Sequence, residues 1–310
     1  MKVLVTGATG FLGTHLVRKL KELGWDVSIS NTKHASLSRI DNLWCFNDTE
    51  FDYIFHLAAV TKAGDYCLKY PGTQWLENQT INTNALRYWQ GWQPQAKMIC
   101  MGTSCSYSPG IHMKEENYLL GEPEESLYTY AMTKRMLLNG LESIGKQHGL
   151  KWLYFIPSTL YGPDFELDDN HFIFDFIRNC YNAKHKDEKF VVWGDGEQRR
   201  ELIYIDDAID AMINLLPYDN QVFNLGSGED NTINEFASLV CDAYGYDSNS
   251  IEHDLDKYVG VKEKKIDTTK TLTYLSDRST WTAGRDFIKT NLKDGIQKCV
   301  EYYTKEIEKE

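Results

Sequence analysis

Residues 2–13 read Lys-Val-Leu-Val-Thr-Gly-Ala-Thr-Gly-Phe-Leu-Gly, and this stretch decides the fold. Lys2–Thr6 is a short apolar run of the kind that forms a buried strand, and an amphipathic helical pattern follows it. Between the two, Gly7 allows a tight turn, Gly10 lets the backbone approach a pyrophosphate, and Gly13 lets helix and strand pack closely. A strand, a glycine turn and a helix in this order predict a dinucleotide-binding unit, whose phosphates would lie on the free N–H groups of the helix N-terminus.

The same alternation continues through the first half of the chain, which is typical of a parallel sheet covered by helices on both faces. Predicted strands are Lys2–Thr6, Asp26–Ser30, Tyr53–Leu57, Lys97–Met101 and Trp152–Ile156. Predicted helices are Phe11–Leu23, Trp75–Trp92, Tyr128–His148 and His171–Ala183, and Gly24 stands where a helix C-cap is expected.

The pattern is less regular after about residue 160. Predicted strands there are Phe190–Trp193, Leu202–Ile205 and Gln221–Leu225, and predicted helices are Asp206–Leu216, Ile233–Tyr244 and Ile288–Tyr303. We therefore expect an α/β fold: a doubly wound parallel (Rossmann) sheet over residues 1–160 and a smaller mixed α/β substrate lobe over residues 161–310, with some exchange of chain between them. Ligands of such sheets bind at the carboxyl ends of the strands, so the site is expected between the lobes.

Composition excludes several classes of function. The 310 residues carry a formal net charge of −12, which disfavours nucleic-acid binding because the phosphate backbone would repel the chain. No apolar run is long enough to span a bilayer, and the N-terminal stretch is too short and too glycine-broken for a signal peptide. The seven cysteines contain no Cys-x-x-Cys pair, so we expect no metal site, reduced thiols and a cytoplasmic protein.

The end of the second predicted strand indicates which nicotinamide cofactor is used. An NAD binder usually has an Asp or Glu there to bond the ribose 2′-hydroxyl. This chain has Ser30, Asn31, Thr32 and Lys33 instead, and Asp26 stands at the start of the strand. Small polar residues with a lysine would accept a 2′-phosphate, which favours NADP(H) over NAD(H).

Tyr130 and Lys134 stand four residues apart in a predicted helix, so their side chains share one face. An ammonium near a phenol favours the phenolate and lowers the tyrosine pKa, and the tyrosine then exchanges a proton with a carbonyl oxygen while the lysine holds the nicotinamide ribose. The spacing alone is common on partly exposed helices. Thr103, just after the fourth predicted strand, adds a hydroxyl that would polarise the same carbonyl.

With these segments in place, the chain resembles the extended short-chain dehydrogenase/reductases over nearly its whole length. The segments that carry the resemblance are the glycine loop, Phe55-His56-Leu57-Ala58-Ala59, the set Thr103, Tyr130 and Lys134, Tyr161-Gly162-Pro163, and Arg200-Glu201-Leu202-Ile203-Tyr204-Ile205-Asp206-Asp207. The resemblance implies an NAD(P)-dependent enzyme. The cofactor-binding positions it implies are Gly7, Thr9, Gly10, Phe11, Leu12, Gly13, Ser30, Asn31, Lys33, Leu57, Ala58, Ala59, Tyr130, Lys134, Pro157, Thr159 and Leu160.

Within that superfamily the chain is most similar to the GDP-L-fucose synthase family, which epimerises a GDP-4-keto-6-deoxymannose at C3 and C5 and then reduces C4. The similarity rests on Thr103-Ser104-Cys105, Gly121-Glu122-Pro123-Glu124, Tyr130-Ala131-Met132-Thr133-Lys134, Asn170-His171 and Val192-Trp193-Gly194-Asp195-Gly196. It implies that Cys105 and His171 are the base and acid of epimerisation. It also implies that Arg178, Trp193, Arg200 and Lys264 bind substrate, here a nucleotide sugar.

The chemistry of these residue types agrees with such a reaction. Removing a proton next to a ketone creates an enolate, and Thr103 and Tyr130 would already aim donors at its oxygen. Cysteine and histidine both exchange protons near neutral pH. The ordinary structural explanations are that Cys105 is a small buried residue and that His171 is a helix cap or a surface residue.

Three departures from the family pattern keep alternatives open. Thr103 replaces the usual serine, Thr159 stands where the family has asparagine, and residues 61–76 do not match. An NAD-dependent C4 dehydrogenase or 4-epimerase of a nucleotide sugar is one alternative, and a non-catalytic NADP-binding sensor is another. A 4,6-dehydratase would have an Asp-Glu pair where this chain has Ser104-Cys105. By analogy with similar enzymes, we also expect a homodimer formed through the predicted helices Trp75–Trp92 and Tyr128–His148.

Overall fold

The structure, a computed structural model, describes residues 1–62, 65–169, 171–257, 259–277 and 287–309, with the side chain of Asp65 left out. Asn170, predicted to open a helix with His171, lies outside the described residues, as do Ala63 and Gly64 of the segment that departs from the family pattern.

The strands are short and are distributed along the whole chain. They are β1 Lys2–Thr6, β2 Asp26–Ser30, β3 Tyr53–His56, β4 Lys97–Met101, β5 Trp152–Pro157, β6 Thr159–Tyr161, β7 Val191–Trp193, β8 Arg199–Tyr204, β9 Gln221–Leu225, β10 Asp230–Thr232, β11 Glu252–Asp254 and β12 Glu263–Lys264.

The helices lie between them. They are α1 Phe11–Glu22, α2 Asp65–Lys69, α3 Pro71–Trp92, α4 Tyr128–His148, α5 Phe172–His185, α6 Ile205–Leu215, α7 Ile233–Tyr244, α8 Thr269–Ser276 and α9 Leu292–Ile307. Short 3-10 turns cover Ile40–Phe46, Ser104–Ser106, Glu115–Asn117, Glu125–Leu127 and Ser248–Ser250. The predicted helix that opened at Trp75 begins at Pro71, because proline fits the first turn of a helix, where its missing N–H costs no hydrogen bond.

The central sheet has the strand order β2-β1-β3-β4-β5-β9, and all of these strands pair in parallel. The predicted fold class is confirmed: a mostly parallel sheet with helices on both faces. Its last strand, β9, comes from the second half of the chain. The order reverses between β1 and β3, which is where sheets of this kind bind their ligands.

Alternating side chains of the central strands enter two separate cores, as expected for a sheet covered on both faces. Val3 and Val5 belong to the core that β1 forms with α1, α5, α6, α7 and α9. Leu4 belongs to the second core, which contains Trp89 of α3 and Leu137 of α4. No described helix is long and apolar enough to cross a membrane.

Besides β9, most of the strands after β5 form two small sheets, which we call the second lobe. In one, β8 pairs with β10, β12 and β6; in the other, β7 pairs with β11. Pairing of β12 with β8 sets Lys264 level with Arg200. Glu201 on β8 is buried and accepts hydrogen bonds from the backbone N–H groups of Gly228 (2.8 Å) and Ile266 (3.0 Å), so one carboxylate links three segments of this lobe. The division into residues 1–160 and 161–310 stays a prediction.

Candidate active site

A cavity of about 870 Å³ opens at the carboxyl ends of β1 to β5, at the strand-order reversal. Its walls come from the turns that follow these strands, from α3 and α4, and from the segment before α5. The lining residues are Gly7, Thr9, Gly10, Phe11, Leu12, Gly13, Ser30, Asn31, Thr32, Ser36, Leu37, Ser38, Leu57, Ala58, Ala59, Val60, Thr61, Leu76, Glu77, Thr80, Ile81, Met101, Gly102, Thr103, Ser104, Cys105, Tyr130, Lys134, Pro157, Ser158, Thr159, Leu160, Asp169, His171 and Phe174.

The glycine loop joins β1 to α1 in a conformation that side chains would obstruct. Gly7 has φ +67°, and a Cβ there would stand 2.7 Å from the backbone nitrogen of Ala58. A Cβ on Gly13 would overlap the carbonyl oxygen of Gly7. Gly10, by contrast, keeps open space on the cavity side, with only the Gly7 carbonyl 3.5 Å from an added Cβ. The loop therefore forms a cradle that brings bare backbone to the helix N-terminus, as a dinucleotide pyrophosphate requires.

The end of β2 forms a compact turn held by its own polar residues. Asn31 accepts hydrogen bonds from the backbone N–H groups of Lys33 and His34, both at 2.9 Å. Ser30 donates its hydroxyl to the carbonyl of Ala35 at 2.7 Å. Ser30 and Asn31 line the cavity as predicted positions, whereas Lys33 is exposed and is not among the lining residues.

Two hydroxyl residues that were not predicted, Ser36 and Ser38, line this end of the cavity together with Thr32 of the predicted polar run. Among the lining residues from β2 to Ser38 there is no carboxylate. The serine-rich stretch after β2 was the available sequence signal. Hydroxyls without a nearby carboxylate suit a phosphate better than a bare ribose 2′-hydroxyl.

The end of β3 and the segment after it, which forms another wall, are held by three amides on α3 spaced four residues apart. Gln74 donates to the carbonyl of Lys62 at 2.7 Å. Asn78 accepts from the backbone N–H of Val60 at 2.8 Å and donates to its carbonyl at 3.1 Å. Asn82 hydrogen-bonds His56 at 3.1 Å. This ladder of buried amides fixes the path of the chain over the cavity.

Thr103, Tyr130 and Lys134 meet in the cavity, although Thr103 comes from the turn after β4 and the other two from α4. The Lys134 Nζ donates to the carbonyl of Met101 at 2.9 Å and lies 5.9 Å from the centroid of the Tyr130 ring. Tyr130 and Lys134 are 8% and 5% exposed, so both polar groups are turned inward. One face of α4 thus presents a phenol and an amine to the same space as the Thr103 hydroxyl.

Burial, rather than the neighbouring ammonium, dominates the electrostatics of this pair. It raises the pKa of Tyr130, and hydrogen bonding to Thr103 offsets this only in part. It lowers the pKa of Lys134 to about 8. The expectation that Lys134 brings the tyrosine pKa down is therefore not met in this structure, because burial raises the pKa of Tyr130 by more than hydrogen bonding to Thr103 lowers it. Tyr130 remains a protonated phenol at neutral pH, which is the form that donates a proton.

Cys105 lies in the turn after β4 and contacts Lys264 from the second lobe. The Lys264 Nζ is 3.1 Å from the Cys105 Sγ, and the Cys105 backbone N–H donates to the Thr103 hydroxyl at 3.2 Å. Burial opposes ionisation of the thiol and is the largest single influence, but the charge of Lys264 and the hydrogen bonds of Thr103 and Lys264 together outweigh it, so the pKa of Cys105 falls below its usual value. The charge of His171 acts in the same direction.

His171 stands just before α5, half-exposed at the cavity edge. Its Nδ1 lies 2.6 Å from Asp169 Oδ1, and hydrogen bonding to this carboxylate raises the pKa of His171, with Cys105 adding to the effect. The Arg178 guanidinium donates to the carbonyls of Leu167 (3.1 Å) and Asp169 (3.2 Å) and also bonds Asp175. Arg178, predicted to bind substrate, here fixes the loop that carries Asp169. The Asp169 carboxylate was not predicted as a site residue, because no sequence motif marks it.

The other predicted substrate-binding residues lie on the second lobe and do not line the cavity. Trp193 is 59% exposed, with Lys257 Nζ 5.4 Å from the ring centroid. Arg200 donates to the carbonyls of Val261 (2.9 Å) and Val259 (3.1 Å). In this arrangement Arg200 secures the segment that precedes β12.

Comparison with known proteins gives consistent results. Residues 3–226 match the sequence model of the NAD dependent epimerase/dehydratase family. GDP-L-fucose synthase 1 of Arabidopsis thaliana is 30% identical, covering 99% of this chain and 94% of the plant protein. GDP-L-colitose synthase of Yersinia pseudotuberculosis is 27% identical, covering 99% of both proteins. The crystal structure of a GDP-L-fucose synthetase from Naegleria fowleri bound to NADP superposes with a TM-score of 0.85 at 23% identity, covering 99% of this chain and 93% of that one.

Proposed function

Since this chain belongs to the NAD dependent epimerase/dehydratase family, and is thus an enzyme, we propose that it acts on a GDP-4-keto sugar. The proposed reaction reduces the ketone at C4 and exchanges the proton at C3, C5 or both. GDP is proposed as the nucleotide because the relatives at 27–30% identity are named as synthases of GDP sugars.

One observation carries the proposal: the same cavity holds two groups biased toward opposite protonation states. Lys264 favours the thiolate of Cys105, and Asp169 favours the imidazolium of His171. A reductase without epimerisation needs a proton donor for the ketone oxygen but neither of these groups. Inversion of the carbon next to a ketone requires a deprotonated base to remove a proton and a protonated acid to return one.

The proposed proton transfers balance within the chain and solvent. The Cys105 thiolate takes the proton from the carbon next to the ketone, and the electrons of that C–H bond move to the ketone oxygen as an enolate. Thr103 and Tyr130 stabilise this oxygen by hydrogen bonding. His171 returns a proton on the opposite face, and exchange with water restores the thiolate and the imidazolium. In the reduction, Tyr130 gives its phenolic proton to the C4 oxygen.

The cavity also fits the dinucleotide implied by the family. The glycine cradle would hold the pyrophosphate, Lys134 the nicotinamide ribose, and the hydroxyls of Ser36 and Ser38 the 2′-phosphate of NADP(H), which we propose over NAD(H). Ser158, at the end of β5, has a buried hydroxyl with no partner among the described residues, so it is available to a ligand. When bound, the nicotinamide supplies hydride to the ketone carbon.

The test is solvent exchange with GDP-4-keto-6-deoxymannose in D₂O without NADPH. We expect deuterium at C3, C5 or both, detected by mass spectrometry and NMR, and loss of this exchange in Cys105→Ser. Cys45→Ser is the matched control, since Cys45 is exposed on the 3-10 turn Ile40–Phe46 and does not line the cavity. That variant should exchange at the wild-type rate.

The outcomes separate the rival functions. Normal ketone reduction without deuterium uptake would leave a 4-reductase and refute the roles of Cys105 and His171. Oxidation of a nucleotide sugar at C4, with no reaction of the keto sugar, would instead favour a C4 dehydrogenase or 4-epimerase.

We also propose a homodimer and a reducing compartment. Trp75 and Trp92 on α3 and Met136 on α4 are exposed apolar side chains on two helices that pack side by side, and they would be covered in a dimer. All seven cysteines, each within the described residues, are free thiols, as in cytoplasmic proteins. Analytical ultracentrifugation should give twice the chain mass of 35.8 kDa, and a monomer would contradict the dimer.

A further inference from the structure

We propose that Lys264 is a positioning residue that holds Cys105 as a thiolate, rather than a residue whose main role is to bind the substrate. The inference rests on the proposed function, in which Cys105 is the base. It assigns the origin of the thiol's reactivity to a residue 159 positions away in the chain.

The geometry places the ammonium on the sulfur. The Lys264 Nζ lies 3.1 Å from the Cys105 Sγ, within the range of a hydrogen bond to sulfur. A thiolate next to a lysine ammonium is the arrangement that makes cysteines reactive.

The fold fixes the position of Lys264 on several sides. β12 pairs in parallel with β8, with Lys264 level with Arg200, whose guanidinium ties down the carbonyls of Val259 and Val261. Two residues further on, the N–H of Ile266 is bound by the buried carboxylate of Glu201. The backbone on both sides of Lys264 is therefore anchored, which fixes the point from which its side chain reaches the Cys105 sulfur.

Other groups around Cys105 do not replace this charge. His171 adds a positive charge from the cavity edge. Tyr130 on α4 and Cys67 on α2 also interact with Cys105, but burial raises the pKa of each, so both are neutral at physiological pH. Lys264 is thus the cation in direct contact with the sulfur among the described residues.

The experiment measures the thiolate directly in the full-length protein without substrate. The rate of alkylation of Cys105 by iodoacetamide is followed against pH by mass spectrometry of its peptide, with Cys45 as the internal reference thiol. In Lys264→Met we expect the Cys105 rate at pH 7 to fall at least about tenfold and its pH midpoint to rise. Lys264→Arg should restore most of the rate. Far-UV circular dichroism checks that each variant is folded.

Lys265→Met is the matched control, because Lys265 is the next residue and its Nζ instead contacts Asp230, at 3.3 Å. It removes the same charge one position away and should leave the Cys105 profile unchanged. If Lys264→Met also has the wild-type profile, the proposal is overturned. The proposal fails equally if Lys264→Met raises KM for the sugar nucleotide while alkylation stays at the wild-type rate.

The readout distinguishes this inference from the proposed function. A shifted alkylation profile with no deuterium exchange in the wild type would support the Lys264–Cys105 pair and refute epimerisation. Deuterium exchange in the wild type, together with an unshifted alkylation profile in Lys264→Met, would support epimerisation and refute the role of Lys264.

Discussion

Replacing Glu201 by glutamine should change how the stability of the protein depends on pH. Burial raises the pKa of Glu201 to about 7, from the usual value of 4.5. The folded protein therefore keeps this proton at pH values where the unfolded chain has lost it. The stabilisation is complete below about pH 4.5 and is lost as the pH rises through 7, by about 3 kcal/mol in total.

Between pH 5.5 and 8 the linkage relation assigns about 2 kcal/mol of that loss to Glu201. Glutamine is neutral at every pH, but its amide can accept from only one of the two N–H groups, of Gly228 and Ile266, that the carboxylate serves. Relative to the ionised wild type, the lost bond costs about 1–3 kcal/mol. The difference in unfolding free energy between variant and wild type should thus move by about 2 kcal/mol in favour of the variant from pH 5.5 to 8.

Urea unfolding followed by tryptophan fluorescence at several pH values measures this difference. Glu263→Gln is the control, since Glu263 is exposed on the neighbouring β12 and its substitution removes the same charge. The control difference should be flat with pH. A flat profile for Glu201→Gln as well would refute the reasoning, because it would mean that the buried carboxyl does not titrate in this range.

Three further substitutions test the cofactor and the proton donor. Gly7→Ala should weaken NADPH binding at least about tenfold, as measured by fluorescence titration, because the new Cβ would meet the Ala58 backbone at a residue with positive φ. Gly72→Ala is the control; Gly72 has open space around it, so this variant should bind NADPH normally. Asn31→Asp keeps the oxygen that accepts the hydrogen bonds of the turn but adds a negative charge. The Kd for NADPH should therefore rise about tenfold while the Kd for NADH changes little. An unchanged ratio of the two Kd values would count against a 2′-phosphate site. Tyr130→Phe should lower kcat for ketone reduction, followed by NADPH absorbance, about 10²- to 10⁴-fold, and a wild-type rate would exclude Tyr130 as the proton donor.

The sequence was most informative where local patterns decide the structure. The strands β1 to β5 and the helices α1 and α4 have strong periodicity, and the prediction of their boundaries is correct to within a residue. The spacing of Gly7, Gly10 and Gly13 indicates where the backbone turns and packs closely, so the cradle could be predicted from the sequence alone. The shared face of Tyr130 and Lys134 follows in the same way from helix geometry.

Contacts between distant segments could not be predicted in this way. β12 has two residues, too few for alternation to be recognised, and its register on β8 is set by packing. The meeting of Lys264 with Cys105 depends on that register. Similarly, Arg178 has the charge expected of a phosphate ligand, but the carbonyls of Leu167 and Asp169 take up its donors. The pKa of Tyr130 was mispredicted because burial cannot be read from a four-residue spacing.

The late arrival of β9 in the central sheet has a consequence for biosynthesis. On the ribosome, β5 is complete once residue 157 has emerged, but its partner Gln221–Leu225 follows roughly 3–14 seconds later at ordinary elongation rates. During that interval β5 is the outermost strand of the nascent sheet, and its unpaired backbone invites pairing with another chain. Translation that stalls in this window, or truncation near residue 160, should therefore yield aggregates rather than an isolated cofactor-binding unit.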